Sequence, residues 1–435
     1  MSWSVRAVNS ATANHVVTAR PAAGIFFPLR TTLRLDEHSY TPDLLRRILT
    51  LAGRLKSFEL ASAALDIAAD VSISGRHIQR LTQEVGAELV RQRDEQAACY
   101  RRRQLQPRVQ EPPALAVVEV DGGRLGTRQM GAGPGVHQAQ AKEDKIACLV
   151  SMRSEVHQDD PQPDPPPSFL DARRVARLVQ QFAAQAAPAA EMTAAGEAAD
   201  SEETGDDERP QKPQRLLRTC VATLGNSRAF GPLVAAEAQS RAFFDAPRRA
   251  FLGDGQKYNW TVQRTWFPHF VAITDFLHVL CYLYRAAWAV ASEDAARWRQ
   301  FAAWMTACWQ GRVDTVLTEL VDWQERLGRP PPDREVEPGD PRLVLAEVIT
   351  YLGNNRARMD YPRYRREGLP VTSSLVESLV GEFNARVKGK DKYWNRSEGA
   401  EAILQVRAAV LSEDGRLARY FAERPGNPYR RRRAA

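Results

Sequence analysis

Leu115-Ala116-Val117-Val118-Glu119-Val120-Asp121-Gly122-Gly123 is a short aliphatic run that stops at an acid and two glycines. Its β-branched residues and its length predict a buried strand ending at Asp121, with Gly122-Gly123 as the break. Working outward, Arg124 to Met130 reads as a returning second strand and Lys145 to Met152 as a third, which together make a meander. Two later runs repeat the form of the first. Arg249-Ala250-Phe251-Leu252-Gly253-Asp254-Gly255 predicts a fourth strand ending in a carboxylate, and His269-Phe270-Val271-Ala272-Ile273-Thr274-Asp275 a fifth ending in another. Between the third and fourth lie a Pro-rich stretch from Pro161 to Pro167, an amphipathic helix from Phe169 to Gln185, an acidic tract, and a helical segment from Leu216 to Ala242.

On either side of these strands the period is helical. Residues 1–40 show no sustained period and read as a loose arm, whereas 41–106 read as a helical domain. Leu44, Leu45, Ile48, Leu49, Leu51 and Leu55 share one face of its first helix. Phe58 to Leu65 is a second helix that turns near Asp70 to Ser72, and Ser74 is the predicted N-cap of a third over Gly75 to Val85. Two short helices with a tight turn, the second carrying Arg76, His77, Gln79, Arg80 and Gln83 on its exposed side, have the form of a helix-turn-helix DNA reader. The same form occurs in bundles that bind nothing. After the fifth strand, residues 286–365 read as a helical insertion in which Trp288, Trp298, Trp304, Trp309 and Trp323 form a core. A helix from Thr372 to Val387, Trp394, a helix from Ala400 to Leu411 and a basic tail over 416–435 complete the chain.

The chain has 435 residues, enough for several domains, and no uncharged apolar run long enough to span a bilayer. Met1-Ser2-Trp3-Ser4-Val5-Arg6 lacks the pattern of a secretory signal, so a cytoplasmic, nucleoid-associated location is expected. Five widely spaced cysteines without a C-x-x-C pair read as reduced thiols. Sixty Lys and Arg against fifty-three Asp and Glu give +7, but residues 187–214 alone contribute −6 (eight acids, two bases), leaving +13 on the remainder. That tract is too poor in large apolar residues to fold and is predicted disordered. The rest is basic enough for an anionic partner, with clusters at Arg101-Arg102-Arg103, Arg363 to Arg366 and Arg430 to Arg433.

Taken singly, an acid after a strand is usually a turn former. Taken together, Asp121 ends the first strand, Asp254 the fourth, and Glu377 lies one turn into a late helix behind Ser373 or Ser374. In an RNase H-like mixed sheet the first and fourth strands lie side by side, so acids far apart in sequence enter one site. Phosphoryl transfer on DNA uses two divalent cations held by hard oxygen ligands, and two Asp with one Glu suffice. Asp275 and His278, at i and i+3 on the opening turn of a helix, share a face. His278 is then placed to reach a phosphate beside the metals and Asp275 to orient it or contact a DNA strand; the alternative is a capped helix with a structural His.

Asp121-Gly122-Gly123-Arg124, Gly253-Asp254-Gly255, Asp275-Phe276-Leu277-His278 and Ser373-Ser374-Leu375-Val376-Glu377-Ser378, followed by Arg386, Lys388 and Trp394, resemble in order and spacing the motifs of bacterial insertion-sequence transposases of the DDE class. The resemblance covers about residues 40 to 415 and departs from the family at Ser374, where a glycine is expected, and at Leu277, where an aromatic is expected. It implies an α/β protein with large all-α parts: an RNase H-like core over 114–285 and 366–415, interrupted by the helical insertion and preceded by the helix-turn-helix-like domain. It further implies Asp121, Asp254 and Glu377 as the metal-binding triad, His278 as a catalytic residue, Arg386 and Lys388 as DNA contacts, and Mg²⁺, replaceable by Mn²⁺, as cofactor. The partners would be double-stranded DNA of the element ends and target, bound by a homo-oligomer. Two other functions stay open: another RNase H-like nuclease, and a DNA-binding protein that keeps the fold without cutting.

Overall fold

The computed structural model describes residues 32–35, 38–128, 139–186, 212–331, 337, 339–387, 394 and 397–424. The arm before residue 32, residues 187–211 of the tract expected disordered over 187–214, Lys388 and the Arg430–Arg433 cluster lie outside them, whereas the tract's last three residues are described and Gln214 opens a strand. The chain divides into two compact units, one of Arg93–Asn384 with Lys388–Tyr393, the other of Met1–Gln92, Ala385–Val387 and Trp394–Ala435.

The second unit is helical. Helices α1 (Pro42–Arg54) and α2 (Phe58–Ala69) begin at caps, Thr41 accepting from the amide of Leu44 and Ser57 from that of Leu60. The turn after α2 passes through Asp70 in the left-handed region at φ 51°. Helix α3 (Gly75–Arg101) then starts where Ser74 accepts from the amide of His77 at 3.3 Å, but it runs far beyond Val85. Its later residues are mostly good helix formers without proline, so nothing stops it.

The partners of α1 come from the other end of the chain. Among the last helices, α12 (Ser374–Val387), α13 (Ser397–Leu411) and α14 (Arg416–Glu423), the end of α12 and the whole of the other two belong to this unit. A side chain on Gly53 would meet the Val410 side chain, and one on Gly86 would come within 2.4 Å of the Ala402 carbonyl, so α1 seats a side chain of α13 on its backbone and α3 approaches α13 nearly backbone to backbone. Arg407 donates to the carbonyl of Gly53, and Arg424 pairs with Glu88 at 3.0 Å. The two units divide at 92/93, inside α3, and residues 397–411 belong to the helical one, which no local sequence pattern reveals.

The first unit is built on one mixed sheet of five strands, β1 (Leu115–Arg128), β2 (Ala139–Arg153), β3 (Gln214–Thr223), β4 (Arg248–Gly253) and β5 (Val271–Thr274), in the order β3-β2-β1-β4-β5. β2 runs antiparallel to both β1 and β3, whereas β1, β4 and β5 are parallel. Gly122-Gly123 does not break β1: the two residues pair with Lys145 and Asp144, because a ladder needs backbone groups and not side chains. The expected second strand is thus the continuation of the first, and the expected third is β2. The true third strand, β3, lies where a helix was expected to begin, and the helix starts at Ser227. Cross-strand pairing from Lys145↔Thr223 to Arg153↔Gln214 outweighs the local pattern there.

One sheet face is dry. Ala116, Val118, Val120, Ala147, Leu149 and Phe251 pack against Phe230 and Val234 of α5 (Ser227–Ser240) and Trp260 of α6 (Lys257–Trp266). By strand alternation, Val117, Glu119 and Asp121 point to the opposite face. Helix α4 (Ala172–Ala186) precedes β3, and between β5 and α12 the described chain forms α7 (Phe276–Val290), α8 (Asp294–Trp309), α9 (Val313–Leu327), α10 (Pro341–Asn355) and α11 (Tyr361–Arg366). Trp304 and Trp309 are buried there, while Trp288, Trp298 and Trp323 are half-buried. Arg365, from one of the expected basic clusters, is interior too: it pairs with Asp160 at 2.8 Å and lies over the Trp309 ring. All five cysteines are free thiols, and among the described residues no helix is long and apolar enough to cross a membrane.

Candidate active site

Parallel pairing sets the site. Val120 of β1 pairs with Gly253 of β4, and Gly253 with Thr274 of β5. The next residue on each strand is an aspartate, so Asp121, Asp254 and Asp275 form a row one step beyond the last shared register. Helix α12 begins at the same edge. The amide of Ser373 donates to Asp275 Oδ1 at 2.7 Å, and that of Val376 to Glu119 Oε2 at 2.9 Å. Glu377 stands next on the helix's first turn. Its side chain lies outside the described atoms.

The two glycines around Asp254 have separate causes. A side chain on Gly253 would stand 3.1 Å from the Asn259 amide, and Asn259 needs that approach because its Nδ2 donates to Asp254 Oδ1 at 2.7 Å. Gly255 has φ 97°, where a side chain is strained and would also strike Tyr351 and Asn355. Tyr351 in turn donates its hydroxyl to the Asp254 carbonyl at 2.9 Å, and the amide of Gln256 donates to Asp254 Oδ1. One carboxylate oxygen of Asp254 thus carries two donors.

Asp121 and Asp254 are each 8% exposed. Burial, and next the charge of Asp254, push the Asp121 carboxyl up to about 7, with His278 pulling the other way. Burial also raises Glu119, to about 8. Two interacting carboxylates in so dry a place repel unless one takes a proton or a cation lies between them. Their hard oxygen donors suit Mg²⁺ or Mn²⁺, and soft or imidazole-preferring metals less well. Among the described residues no three His, Cys, Asp or Glu side chains converge on a metal position.

Asp275 and His278 form a pair, His278 Nδ1 lying 2.7 Å from Asp275 Oδ2. That oxygen also accepts from the His278 amide and caps α7, while Oδ1 holds Ser373. Asp275 is fully buried with both oxygens engaged, which fits the first of its two expected roles, orienting His278, and leaves no exposed oxygen for the other, a DNA contact. His278 lies edge-on to Phe182 at 4.5 Å.

Arg386 is also corrected. It is 3% exposed, donates to the Ala52 carbonyl at 2.9 Å and lies over the Phe58 ring, where burial lowers its guanidinium to about 10. That is a packing role within the helical unit. On α3, Arg76, Arg80 and Gln83 are exposed, whereas His77 and Gln79 are half-buried. His77 is engaged by the rings of His38 and Tyr40 and by Arg80.

Sequence reading missed Glu119, Asn259, Tyr258 and Tyr351. Tyr258 feels the charges of Asp254 and Asp121, and Lys145 lies 4.2 Å over its ring while pairing with Glu143 at 2.9 Å. Only Glu119 left a signal: an acid inside an aliphatic strand, two residues from Asp121 and therefore on its face.

No protein-family model and no curated protein matches this sequence. Among solved structures, the chain is similar to one titled "Drosophila P element transposase strand transfer complex", at 8% identity over 87% of this chain and 93% of that one, with a TM-score of 0.35. At that level neither fold detail nor function transfers, and the chain's own geometry is the guide to its chemistry.

Proposed function

We propose that the protein is a DNA transposase of the insertion-sequence type, which binds its element's ends, cleaves phosphodiesters and joins the freed 3′ ends to target DNA with Mg²⁺. The observation that carries this reading is the edge where Asp121, at the end of the stretch that β1 shares with β4, stands beside Asp254, the residue after β4, both buried and each feeling the other's charge, with the start of the Glu377 helix held to the same edge. The strand order β3-β2-β1-β4-β5, with the first three antiparallel and the last two added in parallel, is that expected of an RNase H-like sheet and supports the same reading.

Asp121, Asp254 and Glu377 would hold the metal ions. When bound, such ions make a water or a 3′-hydroxyl nucleophilic and stabilise the departing oxygen. The chain's own contribution is order. Asn259 and the Gln256 amide fix one oxygen of Asp254, which leaves the other for a cation. Asp275 holds His278 by Nδ1 and so orients its ring beside the carboxylates, where it would meet a phosphate. Sequence choice cannot come from carboxylates, and the exposed Arg76, Arg80 and Gln83 on α3, with Gln79 and His77 beside them, are the candidates for base and phosphate contacts.

The test is incubation of the purified protein with DNA carrying the element's ends in Mg²⁺ and, in parallel, Mn²⁺. Nicks at the ends followed by strand joining support a transposase. Cleavage without joining would turn the reading to another nuclease, and binding without cleavage to a DNA-binding protein that keeps the fold.

A further inference from the structure

Glu119 precedes Asp121 by two residues on β1, so both side chains leave the strand on one face. It is fully buried, its Oε2 accepting from the Val376 amide at 2.9 Å and its Oε1 having no hydrogen-bond partner. A carboxyl group there costs more than an aliphatic side chain of similar volume would, since an unpaired buried oxygen gives up its hydration. The return is local. Val376 lies in the first turn of α12, whose amides have no partner inside the helix, and Glu377 is the next residue. Asp275 acts alike on the amide of Ser373 at 2.7 Å. A helix held at one amide can pivot about it; held at residue 376 from β1 and at residue 373 from the cap of α7, it cannot.

We propose that Glu119 is a positioning residue for Glu377, a role that rests on the phosphoryl-transfer reading. It fixes the start of α12 to the strand carrying Asp121, and with it the depth at which residue 377 enters the site, without touching metal or DNA. The role requires an acceptor atom and not a charge, which separates it from a metal ligand.

Glu119→Gln keeps a carbonyl oxygen for the Val376 amide, whereas Glu119→Leu fills similar space without one, and Glu119→Met is a second acceptor-free variant. The full chain would be assayed for cleavage against Mg²⁺ concentration, for affinity to end DNA, and for amide hydrogen exchange over residues 374–378. The expected result is a Gln variant within about threefold of wild type in every readout. The acceptor-free variants should bind end DNA normally, cleave about tenfold or more slowly, need several-fold more Mg²⁺, and exchange those amides about tenfold faster, the scale of one lost hydrogen bond. Near-wild-type cleavage and exchange in Glu119→Leu would overturn the proposal. So would a Gln variant as inactive as Asp121→Asn, which would make Glu119 a ligand, or unfolding of both acceptor-free variants. If wild type itself does not cleave, the phosphoryl-transfer reading fails, while the exchange difference between Gln and Leu still decides whether Glu119 anchors α12.

Discussion

In the sheet unit the polar groups that matter are buried: Asp121, Asp254, Asp275 and Glu119 are all at most 8% exposed and lie beside strands or helix starts. In the helical unit the polar groups that could meet a partner are exposed at the start of α3, and the buried ones, Arg386 and Arg407, tie backbone carbonyls of α1 to helices from the far end of the chain. The contrast teaches how burial sorts function. A charge kept dry at a strand end has an environment that shifts its chemistry, as the raised Asp121 carboxyl shows, whereas a dry arginine on a carbonyl is a strut. Chain order obscures this, because residues 374–387 begin at the edge that holds the acids and end in the helical unit.

The largest effect should come from the dry acids. Asp121→Asn and Asp254→Asn keep shape but remove a metal-binding charge, and each should lower end cleavage by about 10²–10³-fold, several kcal/mol of transition-state stabilisation, with DNA affinity unchanged. Parallel loss of binding and cleavage would mean that the two units do not divide these tasks.

Next is the helical unit's own core. Gly86→Val places atoms where the Ala402 carbonyl already stands, and should cost about 1–3 kcal/mol or more in thermal unfolding. Removing residues 397–424 should unfold the unit outright. A fragment ending near residue 106 that stayed folded would show that α13 is dispensable there.

A finer comparison is between classes of DNA contact. Gln83→Ala and Gln79→Ala should each weaken binding to end DNA by about 1–3 kcal/mol if the side chain makes a bidentate base contact, with less effect on random DNA. Arg76→Ala or Arg80→Ala should weaken both alike and flatten the salt dependence. Equal losses on both DNAs from the glutamine changes would move sequence reading away from α3.

The strands carrying the acids were legible because each reads as an apolar run closed by a carboxylate, and the parallel register then aligned Asp121, Asp254 and Asp275. Lost to sequence were features set by distant partners. β3 is strand only because β2 pairs with it, and Gly122-Gly123 continues a ladder that its composition would break. For Asp275 the sequence left two roles open, orienting His278 or contacting DNA, and only the fold, which spends its oxygens on Ser373 and His278, separates them. Arg386 lies in the last turn of α12 but packs on Phe58 and Ala52, a fact of tertiary structure alone.

The smallest effect is on stability. Burial pushes the Asp121 and Glu119 carboxyls up to about 7 and 8 from their ordinary values of 3.8 and 4.5. A raised carboxyl favours the fold while protonated, so the metal-free protein should lose stability as pH rises from about 4 through 8, by a few degrees in Tm. Glu119→Gln should flatten part of that slope, and an unchanged slope would place the buried charge elsewhere.

The most direct test of the catalytic edge is the Tm shift on adding Mn²⁺ to metal-free protein, measured at pH 5 and at pH 8, for wild type, Asp121→Asn and Asp254→Asn. The account predicts a clear rise for wild type at pH 8, where the cation relieves the repulsion between Asp121 and Asp254, a much smaller rise at pH 5, where protons already do so, and little or none in either variant. Equal shifts in all three proteins, or none in wild type at pH 8, would contradict it.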